Sequence, residues 1–112
     1  QGQLQGLRYE LGVEIARRLC LTPEWVRIEF SAMIPGLAAR RWDMINTGTF
    51  YTEERARIMQ MLRYENQAVA ISAARGNPLN IRSVDDLAGR TIGVEIGGFE
   101  EARTRQISTE LV

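Results

Sequence analysis

Arginine is the residue type that offers the clearest chemistry in this sequence, and Arg55 is the best-placed example. All 14 basic residues are arginine. Arg55 follows Thr52 and two acidic residues, an order typical of the start of a helix. A guanidinium can hold a planar carboxylate through two parallel, charge-assisted hydrogen bonds. A helix arginine more often faces solvent, so the residue alone leaves carboxylate binding and plain solvation both open.

The loop Thr47-Gly48-Thr49-Phe50 is a second candidate for ligand binding. It follows a predicted strand over residues 42–46. In open α/β sheets, ligands bind outside the carboxyl ends of the strands. Gly48 would leave the backbone of the loop accessible. The alternative is a simple connecting loop.

A third candidate is the pair Gly97-Gly98, which precedes a predicted helix over residues 99–111. The first backbone N–H groups of a helix have no partner within it, and they bind anions without help from side chains. The pair therefore indicates either an anion-binding position or an ordinary turn at the start of a helix.

Composition excludes several kinds of chemistry. The chain has no histidine and a single cysteine, so the commonest general base and a cysteine-based zinc site are both missing. No catalytic residue, metal or other cofactor is expected. The formal net charge is zero, so nothing indicates a nucleic-acid partner. Cys20 lies in an apolar helical pattern and is predicted to be buried. Trp25 and Trp42 are predicted to pack rather than to stack on a ligand.

The elements that would position these residues alternate between helix and strand. Helical periodicity covers residues 9–20, 34–41, a stretch after Thr52, 84–88 and 99–111. Strand patterns cover residues 25–30, 42–46, 67–74 and 90–96. This order predicts an α/β fold with a mostly parallel sheet and flanking helices. The apolar members of the patterns are predicted to be buried: Leu11, Ile15, Leu19, Ile28, Ile34, Leu37, Ile45, Val69, Ile71, Ile92 and Val94.

The length of 112 residues suits one modest domain. The longest charge-free stretch, residues 30–39, is about half of what a membrane span needs. No signal segment opens the chain. Gln1 begins in the middle of a pattern, which we interpret as processing or truncation.

Several short motifs, in order and with matching gaps, resemble one protein family. The chain resembles the polar amino-acid family (family 3) of bacterial extracytoplasmic solute-binding proteins of ABC transporters. The resemblance covers nearly the whole chain and rests on Gly6–Leu11, Ile34–Leu37, Trp42-Asp43, Thr52–Ala56, Tyr64, Gly76–Pro78 and Asp86–Val94.

The resemblance implies an incomplete, periplasmic-binding-protein-like fold of two lobes. Residues 1–66 would form part of lobe one, and residues 67–112 would cross the hinge and begin lobe two. The family's opening strand, the remainder of lobe two and the returning segment of lobe one have no counterpart here. The chain is therefore expected to be a truncated fragment of a longer, periplasmic protein.

The resemblance also implies a function and assigns residues to it. The full-length protein would capture a free amino acid and deliver it to an ABC permease. Arg55 matches the family's carboxylate-binding arginine, and the loop Thr47–Phe50 matches the loop that holds the ligand's ammonium and carboxylate. Gly97 and Gly98 match a pair that serves the carboxylate. Phe50 and Gly98 replace hydroxyl residues of the family, which puts one ammonium contact and one carboxylate contact in doubt.

Two other functions share this fold. One is the ligand-binding sensor domain of a signalling protein. The other is a dehydratase-like enzyme, which would need a general acid or base beside the carboxylate clamp. Glu95 is the only acidic residue near the end of the last predicted strand. For the fragment itself, an unpaired sheet edge predicts association with a second copy, as a homodimer.

Overall fold

The computed structural model describes residues 2–111, with side chains as far as Ser108. The chain divides into two compact units, with the division between Gln60 and Met61. The first unit holds helices α1 to α3, and the second holds a short 3-10 helix and α4. These elements are α1 (Leu7–Arg18), α2 (Phe30–Ala38), α3 (Glu53–Ile58), the 3-10 helix (Asp85–Leu87) and α4 (Phe99–Leu111). The lobe boundary expected after residue 66 stays a prediction.

The predicted parallel sheet is not formed, because residues 2–111 contain no strand. The segments 42–46, 67–74 and 90–96 have the composition of strands but no ladder partner. A strand gains its stability from hydrogen bonds and side-chain pairs with a neighbour, and an isolated strand has neither. The segment 25–30 ends where α2 begins, so its last residue is helical instead.

Helix α1 begins two residues earlier than its apolar spacing predicts and is buried along one side at Gly12 and Ala16. The Trp25 ring lies so close to Gly12 that a Cβ there would overlap it. The same ring contacts Tyr9, with ring centroids 5.1 Å apart. Trp25 therefore has the packing role predicted for it. The side-chain amide of Asn46 donates a hydrogen bond to the Arg8 carbonyl at 2.7 Å, which links the segment 42–46 to α1.

Helices α1 and α2 end in the same way. In each, the second residue past the helix is left-handed: Cys20 has φ 56° and Arg40 has φ 57°. Around each of them, two backbone N–H groups bond back to the last turn, which is the Schellman arrangement. The prediction of a buried Cys20 is wrong, since its side chain is exposed. Helix α1 ends at Arg18, so Cys20 lies beyond the packed face.

These two left-handed positions suit glycine, which adopts positive φ without steric cost. We expect Cys20→Gly and Arg40→Gly each to stabilise the first unit by about 0.5–1 kcal/mol, because relief of the left-handed strain exceeds the added chain entropy. Urea denaturation, with tryptophan fluorescence as the probe, measures the change in the free energy of unfolding. Cys20→Ala is the control: it removes the thiol but keeps the strain, so a similar gain from alanine would contradict this explanation.

Helix α2 begins at Phe30, four residues earlier than predicted, which places Pro35 inside the helix rather than in its first turn. Proline has no backbone N–H, so the Ser31 carbonyl lacks its usual hydrogen bond within the helix. Ser31 and Pro35 are both exposed, so solvent can reach that carbonyl. The Trp42 ring lies against Gly36, where a Cβ would overlap it. Its indole Nε1 donates to the Met33 carbonyl at 3.1 Å. Trp42 thereby packs on α2, as predicted.

The outer face of α1 carries an ion-pair cluster. Glu14 accepts from Arg17 at 2.7 Å and from Arg18 at 2.8 Å, and all three side chains are exposed. The hydrogen bond from Arg17, followed by that from Arg18, lowers the pKa of Glu14 from 4.5 to about 2. Because the folded pKa is depressed, the contribution of the cluster to stability is fully present above pH 4.5 and is lost as pH falls through about 2.

Titration of the Glu14 carboxyl by carbon-13 NMR tests this cluster directly. At low salt the midpoint should lie near pH 2. In Arg17→Gln it should move upward, because the largest cause of the lowered pKa is removed, and high salt should act in the same direction. A wild-type midpoint at the ordinary value of a glutamate would show that the cluster is absent in solution.

The second unit is organised by polar loop contacts. Asp86 accepts from the backbone N–H groups of Arg82 and Ser83 and from the Ser83 hydroxyl, at 2.8–3.1 Å. The Ser83 hydroxyl donates to Asp86, and the helix predicted over 84–88 is a single 3-10 turn. Gly89 closes that turn with φ 70°. Leu87 is the buried apolar residue here.

The predicted core is largely unformed. Ala16 and Leu87 are the buried apolar side chains among the described residues. Six of the predicted core residues are half-buried, whereas Leu19, Val69, Ile71, Ile92 and Val94 are exposed. A cavity of about 520 Å³ in the first unit, lined by Ile15, Val26 and Met44 among others, lies beside the segments expected to be strands. Without a sheet, the apolar faces of these segments have nothing to pack against.

None of the helices in the described part of the chain has the length and apolar character needed to cross a membrane.

Candidate functional site

Arg55 lies where its spacing from Thr52 predicts, at the third residue of α3. The Thr52 hydroxyl oxygen accepts from the Arg55 backbone N–H at 3.1 Å and so caps the helix. The guanidinium turns back to the loop, where Nη1 donates to the Phe50 carbonyl at 2.9 Å. The predicted placement at a helix start is confirmed, and the guanidinium faces the loop 47–50.

Phe30 also contacts Arg55, which the sequence did not indicate. The guanidinium carbon lies 5.6 Å from the centroid of the Phe30 ring, within the range of a cation–π contact. Phe30 is the first residue of α2 and is half-buried. The sequence pattern placed Phe30 on the apolar face of a strand. No local signal links it to Arg55, because the two residues are distant along the chain.

The loop 47–50 is compact and has one unsatisfied group. The Thr49 backbone N–H bonds to the Thr47 carbonyl at 2.8 Å, which makes a tight turn around Gly48. The Thr49 hydroxyl oxygen is shielded from solvent and has no hydrogen-bond partner. A buried hydroxyl without a partner is unfavourable by about 1–3 kcal/mol. The loop therefore contains a group that a polar partner would stabilise.

The turn before α4 is already occupied by a carboxylate from the same chain. Glu101 accepts from the Gly97 backbone N–H at 2.8 Å, and its other oxygen accepts from Arg105 at 2.7 Å. These bonds, the one from Gly97 first, lower the pKa of Glu101. The Gly98 N–H donates to the Glu95 carbonyl at 3.2 Å, and Gly98 is buried. The Gly97 N–H does bind a carboxylate, but this carboxylate is the side chain of Glu101 in the same chain.

The candidate residues belong to two different units, and within the first unit several of them are brought together. In the first unit, the Arg55 guanidinium, the Phe50 carbonyl and the Phe30 ring are in contact. Gly97 and Gly98 belong to the second unit. Among the residues that the structure describes, no three acidic or cysteine side chains are grouped so as to hold a metal ion.

The sequence is similar to known proteins over nearly its whole length. The family model of the bacterial extracellular solute-binding proteins, family 3, matches residues 1–111. The chain belongs to this family. Members of the family are solute-binding proteins rather than enzymes. A periplasmic-binding-protein fold is therefore the fold that its membership implies.

Three curated relatives illustrate the similarity. The lysine/arginine/ornithine-binding periplasmic protein of Escherichia coli (strain K12) is 30% identical over 91% of this chain and 39% of its own length. The L-arginine-binding protein of Pseudomonas aeruginosa is 31% identical over 98% of the chain and 41% of its own length. A probable amino-acid ABC transporter periplasmic-binding protein of Sinorhizobium fredii is 27% identical over 94% of the chain and 36% of its own length.

The chain spans only 36–41% of the length of these three relatives. No solved structure matches it.

Proposed function

We propose that this chain is part of an extracytoplasmic receptor that captures a free amino acid and delivers it to an ABC permease. Family membership and the functions for which the relatives are named support the general role. The observation that carries the assignment to residues is the Arg55 guanidinium, turned back from the start of α3 onto the loop 47–50.

In this proposal Arg55 binds the α-carboxylate of the ligand. A guanidinium has five N–H donors in a planar fork, which matches the two oxygens of a carboxylate. The hydrogen bond to the Phe50 carbonyl and the half-buried position restrict the side chain before a ligand arrives. A restricted side chain loses less entropy on binding, which favours affinity.

The loop supplies the complementary groups. Backbone carbonyls around Gly48 can accept from the ligand's ammonium, and the hydroxyl groups of Thr47 and Thr49 can bond either of its charged groups. The unpartnered Thr49 hydroxyl supports this role, because a ligand atom would satisfy it. Phe50 contributes its carbonyl, which already orients Arg55.

Gly97 and Gly98 are proposed as a further carboxylate-binding position in the second unit. Its Gly97 N–H is bonded to Glu101, so a ligand carboxylate has to displace that side chain. The internal carboxylate supports the idea that the position suits this chemical group. It also means that binding there exchanges one carboxylate for another.

The fold of the complete receptor is proposed to contain the mostly parallel sheet that residues 2–111 do not form here. Residues 1–66 would belong to lobe one, and residues 67–112 would cross the hinge into lobe two. The exposed apolar segments 67–74 and 90–96 support this, because they have the composition of buried strands but lack neighbours.

The 112-residue chain by itself is proposed to form a homodimer. Val69 and Ile71 are 42% and 53% exposed, and a second copy could cover such a segment. Sedimentation equilibrium tests this proposal: a dimer is expected at micromolar concentration, and a monomer throughout that range would contradict it.

The ligand class to test first is a basic amino acid, since relatives bind arginine, lysine and ornithine by name. Calorimetry on the full-length protein should show binding of L-arginine. Agmatine is the matched control because it is arginine without the carboxylate, and it should bind at least tenfold more weakly. If no amino acid binds, the proposed function is wrong. If agmatine binds as well as arginine, the carboxylate clamp is wrong.

A further inference from the structure

Asn46, the residue just before the loop 47–50, is bonded to the first turn of α1. Its side-chain amide donates to the Arg8 carbonyl at 2.7 Å, across 38 positions of the sequence, and the residue is half-buried. A helix carbonyl has two lone pairs and uses one of them to accept from the N–H four residues later. The second lone pair can accept from another donor, which here is the Asn46 amide.

Gly12 makes this close approach possible. It lies four residues after Arg8 and therefore on the same face of α1. A Cβ on Gly12 would lie 2.5 Å from the Asn46 amide nitrogen and would also overlap the Trp25 ring. Because Gly12 has no side chain, the amide of Asn46 can reach the backbone of the helix.

The contact connects α1 to the candidate ligand-binding loop. Asn46 is followed by Thr47, whose carbonyl accepts from the Thr49 N–H at 2.8 Å. The next residue, Phe50, accepts from the Arg55 guanidinium at 2.9 Å. A short loop that is fixed at its first end has fewer conformations, so its polar groups keep their directions.

We propose that Asn46 is a positioning residue, which anchors the start of the loop 47–50 to α1 and so fixes the direction of the polar groups in that loop. The consequence for affinity rests on the proposed function, in which the loop binds an amino acid. The anchor itself does not, since it is a property of the chain without a ligand. Groups that are already restricted lose less entropy when a ligand binds to them.

NMR of the wild-type, 112-residue chain tests the anchor without any substitution. The Asn46 side-chain N–H that faces the Arg8 carbonyl should exchange with solvent more slowly than the side-chain N–H groups of Asn66, which is exposed. A hydrogen bond protects its N–H from exchange according to the free energy needed to open it. Equal exchange of the two asparagine side chains would overturn the proposal.

Substitution of Asn46 tests whether the anchor restricts the loop. In folded Asn46→Leu, which keeps a side chain of similar size but has no donor, the Arg8 carbonyl carbon should move upfield. Exchange of the Thr49 N–H should become roughly fivefold faster, since one neutral hydrogen bond that holds the loop is lost. The Ala39 N–H, which bonds to the Pro35 carbonyl at 2.9 Å, is the internal control and should not change.

Two further variants complete the test, and urea denaturation verifies that each of them folds. Asn46→Ala only shortens the side chain and should produce both changes. Asn66→Leu makes the matched substitution at an exposed position of the second unit and should produce neither. A wild-type rate of Thr49 exchange in a folded Asn46 variant would overturn the proposal, whatever the protein binds.

In the full-length protein, Asn46→Leu should weaken the binding of L-arginine by roughly fivefold, as expected for one neutral hydrogen bond. Wild-type affinity in this variant would overturn the role of Asn46 in binding. If the wild-type protein binds no amino acid, the proposed function is wrong, and the exchange rates of Asn46 and Thr49 still decide whether the loop is anchored.

Discussion

Replacement of Arg55 by alanine should weaken amino-acid binding by the full-length receptor by about 2–4 kcal/mol, since two charge-assisted hydrogen bonds to the ligand carboxylate are lost. This corresponds to a decrease in affinity of roughly 30- to 1,000-fold. Stability should change much less, because the Thr52 cap bonds the backbone of residue 55 rather than its side chain. Isothermal titration calorimetry with L-arginine measures the effect.

Two variants separate the clamp from general electrostatics. Arg57→Ala removes an exposed arginine from the same helix and should retain nearly the affinity of the wild type. Arg55→Lys keeps the positive charge but replaces the planar fork with a point donor, so it should recover only part of the loss. Wild-type affinity in Arg55→Ala, or equal losses in Arg55→Ala and Arg57→Ala, would rule out a carboxylate clamp at this position.

Introduction of valine at Gly36 should destabilise the first unit by roughly 2–3 kcal/mol, because the added carbons enter the space of the Trp42 ring. A Cβ at Gly36 would already overlap that ring. The ring cannot simply turn away, since its Nε1 donates to the Met33 carbonyl at 3.1 Å. The free energy of unfolding in urea, with tryptophan fluorescence as the probe, measures the loss.

Ala38→Val is the matched control for this substitution. It places the same branched side chain in the same helix at an exposed position, so it should reduce stability by well under 1 kcal/mol. Combining Gly36→Val with Trp42→Leu should give a smaller loss than the sum of the two single changes, because the smaller side chain relieves the overlap. Equal effects of Gly36→Val and Ala38→Val would show that the ring does not pack on Gly36.

Some short-range features were predicted well by the sequence, although α1 and α2 begin earlier than predicted. The helix start after Thr52 and α4 over Phe99–Leu111 are confirmed. Each depends on residues within a few positions of one another, so the local pattern contains the information. The orientation of Arg55 is predictable for the same reason, since Thr52 and Phe50 lie within five residues of it.

Features that depend on distant partners could not be predicted in the same way. The strand patterns at 67–74 and 90–96 indicate what those segments would do beside a neighbouring strand, and this structure provides none. Helix α2 begins at Phe30, and Trp42 packs on it at Met33 and Gly36, nine and six residues away. Cys20 was predicted to be buried because the apolar spacing continues past Arg18, where the helix ends.

The candidate site likewise combines local features that the sequence can indicate with contacts between distant residues that it cannot. The resemblance implied that Arg55 and the loop 47–50 serve one ligand, but the sequence did not indicate Phe30, whose contact spans two helices. The occupation of Gly97 by Glu101 was also missed, although a local signal exists. A glutamate in the first turn of a helix can reach back to a backbone N–H before it, and Glu101 has that spacing from Gly97.

The central claim is that Arg55 receives the carboxylate of a free amino acid. A crystal structure of the full-length protein with bound L-arginine tests it most directly. We expect both carboxylate oxygens within hydrogen-bond distance of the Arg55 guanidinium, with the ligand beside the loop 47–50. A bound ligand whose carboxylate lies elsewhere, with Arg55 still directed only at the Phe50 carbonyl, would contradict the assignment.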